Sequence, residues 1–157
     1  MLEDGIIVPL DHDSVNELRA VRLQVISDKI IHVSASATDS FSTEESLITV
    51  DQKGSSTDWK VKEEGEHVVL STSFLNARVS LKTGAITFAD TSGRILLAEK
   101  QGGGKNFIPV VVDGTEAFQI TQQFESPGDE ALYGLGQNQN GVMNYKGRDE
   151  CLFQYNS

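Results

Sequence analysis

Leu75-Asn76-Ala77-Arg78-Val79-Ser80-Leu81-Lys82-Thr83-Gly84-Ala85-Ile86-Thr87-Phe88-Ala89-Asp90-Thr91-Ser92-Gly93-Arg94-Ile95-Leu96-Leu97-Ala98 is the most regular stretch of the chain. Leu75, Ala77, Val79 and Leu81 alternate with Asn76, Arg78, Ser80 and Lys82. That alternation puts an apolar face on one side of an extended strand and a polar face on the other. Thr83-Gly84 is a turn, because Gly reaches positive φ without steric cost. Ala85 to Ala89 follows as a strand, Asp90-Thr91-Ser92-Gly93 as a second turn, and Arg94 to Ala98 as a third strand. Strand, turn, strand, turn, strand is an antiparallel meander, which places the chain in the all-β class.

The same signals recur outward in both directions. Leu18 to Ser27 and Lys29 to Ala35 read as a hairpin about Ser27-Asp28. Trp59 to Glu63 alternates, Glu64-Gly65-Glu66 interrupts, and His67 to Thr72 resumes. Downstream, Gln101 to Lys105 holds three consecutive glycines and reads as a mobile loop. Phe107 to Val112 and Glu116 to Phe124 read as later strands, and Glu125 to Glu130 breaks the pattern. Asp13 to Val21 is the best helix candidate, but its β-branched content argues for strand. Met1 to Asp13 reads as a leader, and residues 14–157 as one antiparallel β-sandwich domain. Glu150 to Ser157 resembles a strand cut off as it begins, so the domain is expected to be incomplete at its C-terminal end.

Composition narrows the function. With 157 residues the chain is long enough for a core without staples. A formal charge of −10 repels a phosphate backbone and an anionic membrane, so nucleic acid is excluded as a partner. No segment has the length of a membrane span. A single cysteine, Cys151, forms no internal disulfide and reads as a buried small apolar residue. The start at Met1-Leu2-Glu3-Asp4-Gly5 has no signal-peptide pattern. The compartment stays open: periplasmic or extracellular where a signal has been trimmed, cytoplasmic otherwise.

Four chemical motifs fail on spacing or residue type. Gly102-Gly103-Gly104-Lys105 has Glu99 where a phosphate loop needs its first Gly, and Asn106 where it needs Ser or Thr. In Gly134-Leu135-Gly136 to Gly141 the third Gly of a dinucleotide fingerprint comes too late. His12, His32 and His67 lack metal-ligand spacing, and Asp11-His12-Asp13 reads as a solvated loop. Glycoside cleavage needs two carboxyl groups facing one another across a sugar bond. The adjacent pairs Asp149-Glu150, Glu44-Glu45 and Glu63-Glu64 would point to opposite faces of a strand. No metal, cofactor or catalytic residue is assigned.

The C-terminal third carries the most specific signal. Ala131-Leu132-Tyr133-Gly134-Leu135-Gly136-Gln137-Asn138-Gln139-Asn140-Gly141-Val142-Met143-Asn144-Tyr145-Lys146-Gly147 is followed by Leu152-Phe153-Gln154-Tyr155-Asn156. This resembles the N-terminal galactose-mutarotase-like β-sandwich of family 31 glycoside hydrolases, the α-glucosidase and α-xylosidase group, with its Tyr-Gly-Leu-Gly-Gln/Glu, Gly-x-x-Asn-Tyr-x-Gly and Gln-Tyr-Asn elements. The resemblance implies a multidomain retaining enzyme whose (β/α)8 barrel, absent from these residues, carries two catalytic Asp. This chain would then be a non-catalytic domain that packs on the barrel and helps shape the cleft for an oligosaccharide substrate.

Tyr133, Gln137, Asn138, Asn140 and Tyr145 are the residues the resemblance puts forward for substrate binding or for a barrel interface. Uncharged amides suit sugar hydroxyls, and the two aromatic rings suit either stacking or packing. A structural interface is the preferred reading. A stand-alone carbohydrate-binding module is the alternative, drawing on Trp59, Tyr133, Tyr145 and Phe153. An aldose mutarotase needs a His and Glu pair that the three histidines do not supply.

Overall fold

The structure is a computed structural model that describes residues 2–10, 18–38, 40–43, 57–136 and 140–152. Every helix or strand among them is a strand: β1 (Gly5–Pro9), β2 (Ala20–Ser27), β3 (Ile30–Ser36), β4 (Lys60–Glu64), β5 (His67–Ser71), β6 (Leu75–Ser80), β7 (Ile86–Asp90), β8 (Ile95–Ala98), β9 (Lys105–Val112) and β10 (Thr115–Gln122). The chain divides into two compact units, Met1–Glu125 and Ser126–Ser157.

The meander at Leu75–Ala98 forms as the alternation dictates. β6 pairs antiparallel with β7, Ala77 opposite Phe88 and Val79 opposite Ile86. β4 to β8 lie in sequence order in one five-stranded sheet. A second sheet has the order β1-β2-β3, and β9 pairs with β10 as a two-stranded ribbon. Ile6, Val8, Val21, Leu23 and Val25 of the three-stranded sheet share one buried cluster with Val68, Leu70, Ala77, Val79 and Ile86 of the five-stranded sheet. This shared core makes the unit a sandwich. Each large side chain fully withdrawn from water there contributes about 1.5–3 kcal/mol. Thr72 Oγ1 adds a tie between the layers by donating to the Asp28 carbonyl at 2.6 Å.

Gly84 shows why the turn chemistry matters. Its φ is +67°, and a Cβ there would stand 2.5 Å from Leu18 Cδ2 and 2.8 Å from Leu10 Cδ1. The residue serves the turn and the packing together.

The structure departs from the sequence expectations in three places. The first part of the leader holds β1, whose register sets Ile6 opposite Leu23 and Val8 opposite Val21. Its inward side chains are part of the core, so burial overrides a short and weakly alternating pattern. The glycine run is a tight crossing and not a free loop: Gly103 N–H donates to the Lys100 carbonyl at 3.3 Å. A Cβ on Gly104 would lie 2.6 Å from Glu99 Cβ. Cys151 is exposed, because no strand pairs with its segment among the described residues. The proposed helix or strand over Asp13 to Val21 lies largely outside the described residues, and only Ala20 and Val21 are seen in β2.

Candidate functional site

Two places in the molecule carry polar groups in a shaped setting. The first is an open cleft of about 790 Å³ in the larger unit, with His32, Leu75, Phe88, Glu99, Lys105 and Ile120 among its lining. Its walls are mainly apolar strand residues, and Glu99 is the single acid among the described residues that line it. Glu99 follows β8 and Lys105 begins β9, so the glycine crossing brings the two side chains together. Both are 5% exposed. Lys105 Nζ donates to both Glu99 carboxylate oxygens and to the Gly84 carbonyl. Glu99 Oε2 also accepts from the Ile86 backbone N–H at 3.1 Å. Burial pushes the Lys105 ammonium below its usual range, and the bond and charge of Glu99 oppose that shift.

This pair closes on itself. Its carboxylate is occupied by one ammonium and one amide, and no second acid among the described residues lines the cleft. The arrangement therefore lacks the paired carboxyl groups that glycoside cleavage demands. His32 lines the same cleft, whereas His67 stands on β5 with its Nδ1 3.3 Å from Arg78 Nη2. His12 lies outside the described residues. Among the described residues no group of three His, Cys, Asp or Glu is placed to hold a metal ion.

The second place is the loop between Leu132 and Lys146 in the smaller unit. Tyr145 N–H donates to the Leu132 carbonyl at 2.8 Å. Asn144 Oδ1 accepts from Leu132 N–H at 3.0 Å and from Lys146 N–H at 3.1 Å. The Lys146 bond fixes the Asn144 side chain locally, and the two bonds at Leu132 join the ends of the stretch. Inside it, Asn140 Oδ1 accepts from Val142 N–H at 3.0 Å and lies 3.5 Å from the Tyr145 hydroxyl. Gly134, Leu135 and Gly136 take φ of 114°, 61° and 93° in succession. The two glycines tolerate this, while Leu135 is held there against its preference.

The structure thus separates the residues put forward from the sequence. Tyr133 is 68% exposed and presents its ring outward. Tyr145 is 6% exposed and belongs to the loop's interior. Asn140 spends its carbonyl oxygen on the loop. Gln137 and Asn138 lie outside the described residues, as do Phe153 and the Gln154-Tyr155-Asn156 element. Sequence reasoning passed over Asn144, Glu99 and Lys105. An Asn directly before a Tyr in a glycine-rich stretch was a usable signal for the first. The other two had no local signal, since their meeting depends on the crossing of β8 and β9.

Comparison with known proteins agrees with this geometry. The family model described as the glycosyl hydrolase 31 N-terminal galactose mutarotase-like domain matches residues 20–156. The crystal structure of a GH31 α-xylosidase from Xanthomonas citri superposes with a TM-score of 0.79 at 38% identity. The match covers 94% of this chain and 16% of that one. A GH31 α-xylosidase from a soil metagenome, solved with xylose, superposes with a TM-score of 0.71 at 20% identity, over 94% of this chain and 23% of that one. The second shows likeness of fold alone.

Proposed function

The chain belongs to the family of glycosyl hydrolase 31 N-terminal galactose mutarotase-like domains, and from that premise we propose that it is a non-catalytic part of a retaining α-glycosidase, an α-xylosidase or α-glucosidase. In this reading it packs on a (β/α)8 barrel and helps shape the carbohydrate cleft, and the barrel supplies the catalytic acids.

The observation that supports the reading is the loop at Leu132–Lys146. Its described residues are tied together by hydrogen bonds, yet Leu132, Tyr133, Leu135 and Met143 are exposed. Outward apolar groups on such a tied stretch suit contact with another folded surface. The cleft in the larger unit supports the same division of labour, because its carboxylate is neutralised in place. The partner is the catalytic polypeptide of the parent enzyme, and its ligand is an oligosaccharide.

The test is direct. A pure sample of the 157-residue chain is expected to release no nitrophenol from nitrophenyl α-xyloside or α-glucoside. Turnover that survives purification to homogeneity refutes the proposal. The exposed Tyr133 ring favours a second reading, a stand-alone carbohydrate-binding module. Titration calorimetry with xylose- and glucose-containing oligosaccharides separates the two, because the module requires millimolar or tighter binding by the isolated chain.

A further inference from the structure

We propose that Asn144 is a positioning residue that ties residues 132–136 to residues 140–146, holding Tyr133, Leu135 and Met143 ready for contact with the catalytic polypeptide. The inference rests on the interface reading above and assigns a residue to it. One carboxamide oxygen of Asn144 receives N–H groups from both ends of the loop, at 3.0 Å from Leu132 and 3.1 Å from Lys146. The backbone bond from Tyr145 to Leu132 lies beside it at 2.8 Å.

The loop stores cost without visible return inside the chain. Leu135 sits at φ 61°, a region that side chains other than glycine rarely adopt. Its side chain remains exposed, so burial does not offset the strain. Met143, the residue directly before Asn144, is also exposed. The shape becomes useful if something else covers these groups. Flanks already tied to one another lose less entropy on association than flanks that must first come together. The occupant is polypeptide and not sugar: the outward groups include Leu135 and Met143, whose side chains offer hydroxyls no more than a weak thioether acceptor. The Xanthomonas citri α-xylosidase carries far more polypeptide than the 16% this chain matches.

Two substitutions test the role. Asn144→Ala removes the shared acceptor. Asn144→Asp keeps an oxygen for both N–H groups. Amide hydrogen exchange on the 157-residue chain is expected to speed about tenfold at Leu132 and Lys146 in Asn144→Ala. Asn144→Asp should stay near the unsubstituted chain, and the core amides of Leu70 and Val79 should not change in either. Equal exchange in all three proteins overturns the role of Asn144, and so does a rise that extends to the core amides. In the enzyme that carries this domain, Asn144→Ala should raise KM or lower kcat, with Asn144→Asp restoring both. Faster loop exchange with unchanged kinetics would leave the clasp standing and refute the interface reading beneath it.

Discussion

Replacing Lys105 by Met should unsettle the larger unit more than its single surface-type residue suggests. The side chain is 5% exposed and is bonded to Glu99 and to the Gly84 carbonyl. Met fills much of the same volume but leaves the Glu99 carboxylate buried with only the Ile86 N–H for company. Breaking a buried pair from one side costs about 3–5 kcal/mol, because one charge is left uncompensated. With a urea slope of about 1–3 kcal/mol per molar, the unfolding midpoint should fall by roughly 1–5 M. The double variant Glu99→Leu/Lys105→Met removes both charges. It leaves the Ile86 N–H without its acceptor, at about 1–3 kcal/mol. It should therefore be more stable than Lys105→Met alone. Urea unfolding followed by Trp59 fluorescence measures both. A Lys105→Met loss below about 1 kcal/mol, or a double variant whose loss is the sum of the two singles, would refute the claim that the pair acts as a unit.

Two further outcomes follow from the turns. Gly84→Ala should destabilise by about 2–5 kcal/mol, from left-handed strain plus overpacking against Leu18 and Leu10. Gly65→Ala, at φ +60° with open space around it, should cost only about 1–2 kcal/mol; equal midpoints in thermal unfolding would contradict the packing argument. Asp90 is held below its ordinary value of 3.8, first by the Ser92 hydroxyl and then by the Arg94 and Ser92 amides and the Arg94 side chain. A carboxyl with a lowered folded pKa stabilises fully above the ordinary value and loses that effect as pH falls through the lower one. Amide exchange at Ser92 and Arg94, corrected for its intrinsic pH dependence, should therefore rise below pH 3.8, and Asp90→Asn should abolish that rise. A profile identical in both proteins would rule this out.

The legible part of the fold is the part whose period is local. From Leu75 to Ala98 each residue's neighbours in sequence decide its face, and both turns advertise themselves with glycine. β1 was hidden because Gly5–Pro9 is short, ends in proline and owes its place to Leu23 and Val21 across the sheet. The glycines before Lys105 looked like slack chain, since nothing nearby shows that Gly104 must lie against Glu99. Within residues 132–146 the sequence did not show the division of roles. Tyr133 and Tyr145 are alike on paper, and only burial tells the presented ring from the one held inside.

The β9–β10 ribbon has a practical consequence. Phe107 anchors its base in the core and meets Phe118 edge to face, with ring centroids 6.0 Å apart. Val111 and Val112, further out, and Ile120, opposite Phe107, stand in water. Two copies of such a surface approach one another against the mutual repulsion of a formal charge of −10 on every molecule. Salt shortens the reach of that repulsion to about 10 Å at 0.1 M. Concentrated stocks of the isolated chain therefore keep best in dilute buffer, well above the isoelectric point of about 4.6.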